Sequence, residues 1–310
     1  MLPRRVHPYV ELQRLVQWYG SEMPTPKILL LGDSVAERVS KSDTDKRNLG
    51  RFIEKEFEGK YKLACLSHSA YHTKIYYSLL EVLKITPQKP DLVIFPINMR
   101  SFSPQWDFEP SWQFEQEISL IGDYVLSLSK TIPILDKPVI TSELYEVFDA
   151  TEVCYPLTNF NRIGQFRLLI NGKPQTQEQF FYRKEQIFIF HYLHSLSSQH
   201  PKLHSLLETI RLMQELKINL LIYITPINYQ AGERYVGNEF VKLLKKNTQV
   251  IQDAIFPFLG NTINFSDFSI SLSSDKFFNI DEATEHLNQR GRAELAALIS
   301  HTVFEKSSLG

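Results

Sequence analysis

The chain has 310 residues, a formal net charge of −1, and 43% hydrophobic against 22% charged residues. That length accommodates one large α/β domain with a sizeable insertion, or two small domains, and the composition is that of a globular protein. The absence of a basic excess argues against a nucleic-acid phosphate backbone as partner, and two cysteines, Cys65 and Cys154, form neither a disulfide framework nor a metal-ligand spacing.

The first twenty residues, MLPRRVHPYVELQRLVQWYG, carry early basic side chains but no continuous apolar stretch, so no secretory signal is predicted. Val10, Leu12, Leu15, Val16 and Tyr19 recur at mostly helical spacing and predict an amphipathic helix packed on the main domain, with Pro24 and Pro26 ending the segment. The polar face of that helix is not strongly basic, which argues against a membrane-surface role. Residues 27–34, KILLLGDS, read as a buried strand running into a tight loop. Residues 48–57 place Leu49, Phe52, Ile53 and Phe57 on one helical face, residues 61–66 read as a second strand, and residues 75–83 suit a helix. Pro90 introduces a third strand, DLVIFPIN; LKINLLIYIT at 216–225 is a fourth, stopped by Pro226; residues 262–265 give a fifth. Residues 292–304 form a final helix with Leu295, Leu298, Ile299 and Val303 facing inward. Buried runs alternating with helical patterns predict a parallel sheet covered on both faces.

The alternation stops between residues 101 and 215. This segment holds Trp106, Trp112, several prolines and long helical patterns at 177–194 and 204–216, and it reads as a mostly helical insertion after the third strand. The expected organisation is an N-terminal helix at 1–26, an α/β core from 27–100 and 216–310, and the insertion at 101–215. No apolar run is long enough to span a bilayer, so a soluble, cytoplasmic protein is expected. No Walker loop, dinucleotide fingerprint or G-x-S-x-G elbow is present, and no cofactor is predicted.

Gly32-Asp33-Ser34 carries the first chemical signal. Serine needs a base and an exposed position to act as a nucleophile, and the C-terminal edge of a parallel sheet supplies the position. The following helix N-terminus offers N–H groups to a developing oxyanion. Three later segments match in order: LSHSAYHTKIYYSLL at 66–80, Asn98 at the end of DLVIFPIN, and His286 in DEATEHLNQRG. On these residues the chain resembles the SGNH (GDSL-like) hydrolase family, whose sequence blocks centre on Ser, Gly, Asn and His. The resemblance covers residues 27–100 and 216–305 and implies a three-layer α/β/α sandwich with a mostly parallel sheet of about five strands, of the flavodoxin-like, SGNH hydrolase type.

It further implies Ser34 as nucleophile, His286 as base, and an oxyanion hole from the Asn98 amide and the backbone at Ala70. The sequence departs from the family pattern in three places. Ala70, beside Ser69, stands where the second block has glycine. Ile97 and Met99 flank Asn98 where glycine and aspartate are common. Ala283 occupies the position three before the histidine where aspartate is usual. Asp281 is the favoured carboxylate for the second ring nitrogen of His286, with Glu282 second and a dyad without any carboxylate third.

His68 and His72, four apart, lack an HExxH context, and His191, His194, His200 and His204 match no zinc pattern, so no metal site is predicted. Trp106 and Trp112 line an acyl or sugar pocket or anchor the insertion, and Arg100 meets either an anionic substrate or a surface carboxylate. The expected activity is hydrolysis of an acyl ester on a small molecule or glycan. O-acyl transfer to a glycan or metabolite is the first alternative, and a non-catalytic binding module on a degraded site the second.

Overall fold

The computed structural model describes residues 26–129, 155–158, 160 and 163–306. The N-terminal helix expected at 8–19 lies outside them. Five strands form one sheet: β1 (Lys27–Gly32), β2 (Lys62–Ser67), β3 (Leu92–Ile97), β4 (Asn219–Ile224) and β5 (Ile263–Asp267). They pair in the order β2-β1-β3-β4-β5, every pair parallel, with Leu29 opposite both Ala64 and Val93.

Side chains alternate across a strand, so a strand covered on both faces is apolar at every position. β1 and β3 show this. Ile28, Leu30, Leu92 and Ile94 pack on one face with Leu49, Phe52 and Ile53 of α2 (Leu49–Glu56) and with Leu295 and Ile299 of α11 (Gln289–Lys306). Leu29, Leu31, Val93 and Phe95 pack on the other with α3 (Thr73–Glu81), α8 (Pro201–Leu216) and α10 (Glu239–Ile255). The result is a three-layer α/β/α sandwich. Caps set where the helices begin: the Asn48 carboxamide accepts from the Arg51 N–H at 3.1 Å before α2, and His200 together with Pro201 opens α8.

Between β3 and β4 the described residues form α4 (Pro104–Asp107), α5 (Glu115–Ser129), α6 (Ile163–Asn171), α7 (Gln177–Tyr192) and α8. Leu203, Leu206 and Ile210 of α8 share a core with Leu79 and Leu83. α8 is thus the crossover helix that returns the chain to β4, so the sheet's own cover begins at 201 rather than at 216. The remaining α-helices among the described residues are α1 (Ser34–Glu37), directly after β1, and α9 (Tyr229–Val236), after β4. Among the described residues no helix is long and apolar enough to cross a membrane.

Candidate active site

All five strands run the same way, so the loops after β1, β2 and β3 emerge along one edge. β1 ends at Gly32, where a Cβ would sit 2.4 Å from the Ala36 Cβ and 2.9 Å from the Ser67 Cβ. The glycine allows α1 to fold back against the strand ends. Asp33 is buried, and its carboxylate accepts from the Val35 N–H at 2.7 Å, capping α1. Ser34 is thereby fixed as the first residue of the helix, half-buried at the sheet edge.

β3 ends at Ile97, and Asn98 follows it. The Asn98 amide donates to the second Asp33 oxygen at 2.7 Å, while its carbonyl accepts from the Arg100 N–H at 3.0 Å. A primary amide has two N–H donors, so one remains for a ligand. After β2, Ala70 adopts φ +72°, the left-handed conformation that favours glycine. An alanine here carries backbone strain that a glycine would not. Among the described residues the Ser34 and Ala70 N–H groups donate to no backbone carbonyl.

His286 lies in the loop before α11. Its Nε2 is 3.0 Å from the Ser34 hydroxyl oxygen, although 252 positions separate the two residues. The site is built around a serine–histidine pair. The residues after His286 hold the loop in place: Leu287 is buried and pairs as an antiparallel bridge with Phe277, and the Asn288 amide donates to the Asp275 and Phe277 carbonyls. The Asn288 carbonyl accepts from the Gly291 N–H at 3.1 Å. At Gly291 a Cβ would meet the Lys276 carbonyl oxygen at 2.2 Å. Arg292, fully buried, anchors the start of α11 on Asp43 at 2.9 Å.

Burial pushes the His286 imidazole down to about 3, and the positive charges of Arg38 and Arg100 push the same way. This favours the neutral ring, and with its proton on Nδ1 such a ring would accept a hydrogen bond from the serine hydroxyl at Nε2. Burial raises Asp33 to about 6, partly offset by the hydrogen bonds from Asn98 and Val35.

The structure does not pair Asp281, the carboxylate expected to orient His286, with the imidazole. The Asp281 carboxylate pairs with Arg234 of α9, its side chain 45% exposed. Glu282 points to Lys184, 3.7 Å away, and accepts from the Asn279 amide. Each loop carboxylate meets a cation brought in by a neighbouring helix. Ala283 packs against the larger core cluster, where a carboxylate would lose its hydration.

The carboxylate that is buried here is Glu285, which has 1% exposure. Tyr192 donates its hydroxyl to Glu285 at 2.6 Å, and the Arg100 Nε lies 3.3 Å from the same oxygen, a charge contact rather than an aligned hydrogen bond. Arg100 also donates to the Ala283 carbonyl at 2.5 Å. Arg100 thus meets a buried carboxylate next to the histidine, neither a surface one nor open solvent. The signal available in sequence was an arginine two positions after Asn98 and a glutamate immediately before His286.

The other histidines are held by neighbours. His72 caps α3, accepting from the Lys74 N–H at 3.3 Å and donating to the Trp112 carbonyl at 2.9 Å. The His68 Nδ1 lies 2.8 Å from the Ser69 carbonyl. His191 meets Gln105, His200 pairs with Asp107 at 2.9 Å, and His204 lies exposed beside Glu208. Burial drives His194 down to about 3. Trp106 is buried and its ring centroid lies 4.4 Å from that of Trp112, which is exposed. Among the described residues no group of three or more His, Cys, Asp or Glu side chains is placed to hold a metal ion.

No family model matches the chain, and no curated protein matches its sequence. Solved structures do resemble it. One is a carbohydrate esterase family 3 protein from Talaromyces cellulolyticus, at 10% identity and TM-score 0.44, covering 91% of this chain and 97% of that one. Another is an acetylxylan esterase from Geobacillus stearothermophilus, at 10% identity and TM-score 0.43, covering 91% and 96%.

Proposed function

We propose that the chain is a serine-dependent acyl-ester hydrolase of the SGNH type. The observation that carries this reading is the 3.0 Å approach of the His286 Nε2 to the Ser34 hydroxyl. Such an approach lets a neutral imidazole take the proton as the oxygen attacks. A new C–O bond forms between Ser34 and the acyl carbon while the carbonyl π pair moves onto oxygen. The Ser34 and Ala70 N–H groups and the second Asn98 N–H are the donors for that oxyanion. Collapse expels the alcohol, which leaves with the proton from His286. Water then attacks the acyl-enzyme, giving up a proton to His286, and the carboxylic acid departs as the serine is regenerated.

The mechanism needs no carboxylate on Nδ1. Without one the imidazolium is stabilised less, and the oxyanion donors carry more of the acceleration. Turnover of p-nitrophenyl acetate, with and without added alcohol or sugar acceptors, tests the reading. The wild-type chain is expected to release the phenol at a rate unaffected by acceptor, and Ser34→Ala to lose that activity. Release that requires an acceptor would identify a transferase; release unchanged in Ser34→Ala would remove the serine from the chemistry.

A further inference from the structure

We propose that the buried Arg100–Glu285–Tyr192 cluster is the positioning device for His286, taking over the work of a carboxylate on the far ring nitrogen. The inference rests on the hydrolase reading above and extends it to residues that neither resemblance nor spacing assigns.

Three structural parts meet in the cluster. Arg100 belongs to the loop that carries Asn98, and its own N–H holds the Asn98 side-chain carbonyl at 3.0 Å. Glu285 is bonded in sequence to His286. Tyr192 is the last residue of α7, which belongs to the helices between β3 and β4. The guanidinium carbon lies 5.9 Å from the centroid of the Tyr192 ring. Arg100 therefore touches the peptide on both sides of Thr284: the Ala283 carbonyl by a hydrogen bond and the Glu285 carboxylate by charge. One side chain thus fixes the oxyanion loop relative to the histidine loop.

The alternative, that this is a core ion pair of no catalytic consequence, fits the surroundings less well. The histidine loop is already pinned without it. The Asn228 amide nitrogen lies 3.0 to 3.2 Å from the carbonyls of Asn279, Ile280 and Glu282, its two N–H groups shared among them, and Lys184 donates to the carbonyl of Asp281 at 3.2 Å. Those bonds hold residues 279–282. The cluster acts on the next stretch, 283–285, where the one other tie among the described backbone bonds is the Asn228 N–H donating to the Thr284 carbonyl at 3.2 Å, and this stretch leads directly into His286. A buried carboxylate there needs charged and hydrogen-bonding partners, and their fixed positions set the direction of the peptide that leads into His286.

The test uses the full chain and four variants: Tyr192→Phe, Glu285→Gln, Arg100→Lys and Arg100→Met. Fluorophosphonate labelling of Ser34 is followed alongside kcat and KM for p-nitrophenyl acetate, as a function of pH. Misplacement of the ring predicts a loss of kcat on the order of tenfold to a hundredfold, with KM nearly unchanged. Arg100→Lys, which keeps the charge, is expected to lose less than Arg100→Met. The charge change adds a signature that a purely structural role lacks. Loss of the cation in Arg100→Met raises the imidazole pKa and moves the acid limb of kcat/KM to higher pH, whereas loss of the anion in Glu285→Gln moves it lower. Tyr192→Phe deletes one oxygen and keeps the ion pair, so it decides the matter if Glu285→Gln does not fold. Wild-type labelling rates and kcat in folded Tyr192→Phe would overturn the inference while leaving the hydrolase reading intact. Failure of the wild-type chain itself to label would overturn the hydrolase reading instead.

Discussion

Alanine at position 70 sits at φ +72°, a conformation whose cost for a residue with a Cβ is roughly 1–2 kcal/mol. Glycine would remove that cost and return part of it through a more flexible unfolded chain. Ala70→Gly is therefore expected to raise stability by up to about 1 kcal/mol, read as a higher urea midpoint at unchanged slope. Because the backbone donor is kept, the rate of serine acylation should not fall. At His286 the relevant quantity is charge. Burial and the cations Arg38 and Arg100 hold the ring near 3, and only the neutral ring accepts a proton. Activity should thus be lost only as pH falls through the ring's low pKa. Arg38 is exposed, one helical turn beyond Ser34, and its N–H donates to the Ser34 carbonyl at 3.0 Å. Removing its charge favours the imidazolium, so Arg38→Ala should move the acid limb of kcat/KM to higher pH. Asp33, raised to about 6, is the competing titrating group. A limb that ignores Arg38→Ala and vanishes in Asp33→Asn would belong to Asp33 instead.

Two glycines decide whether the elements around the site can meet. Gly32 allows α1 against β1 and β2, and Gly291 allows α11 to start beneath the Lys276 carbonyl. In Gly291→Ala the added methyl would press on a backbone oxygen, which cannot rotate away as a side chain does. The loop from 276 to 288 should shift, at a cost of about 1–3 kcal/mol and with a lower rate of serine labelling at unchanged melting cooperativity. The run from His286 through Leu287 and Asn288 to Gly291 is thus legible as physics: a ring aimed at the serine, a buried leucine, an amide that holds the preceding turn, and a glycine for close approach. The strands were legible for a related reason. Residues 28–31 and 92–97 are apolar without alternation because both faces of the sheet are covered. The boundary at α8 was not legible. Its pattern continues the helices before it, and only the contact of Leu203, Leu206 and Ile210 with α3 assigns it to the sheet's cover. Where the carboxylates near His286 would go was hidden as well. Asp281, Glu282 and Glu285 stand within five positions of the ring, and sequence cannot tell which will meet Arg234, Lys184 or Arg100, since those cations arrive from three different elements.

Over the whole molecule, the parallel strand order gathers the ends of β1, β2 and β3 at one edge, and the two cover layers fix the edge's shape. Arg292 on Asp43, buried on both sides, ties α11 to the segment after α1, so the helix that follows His286 is anchored to the region that carries Ser34. That long-range anchoring makes a 3.0 Å contact out of residues 252 positions apart. Mass spectrometry of the chain after fluorophosphonate treatment tests this most directly, with His286→Ala and Ser34→Ala alongside. Adduct on the Ser34 peptide of the wild-type chain, strongly slowed in His286→Ala and missing in Ser34→Ala, is the predicted result. Equal labelling in folded His286→Ala, or an adduct on a different residue, would contradict it.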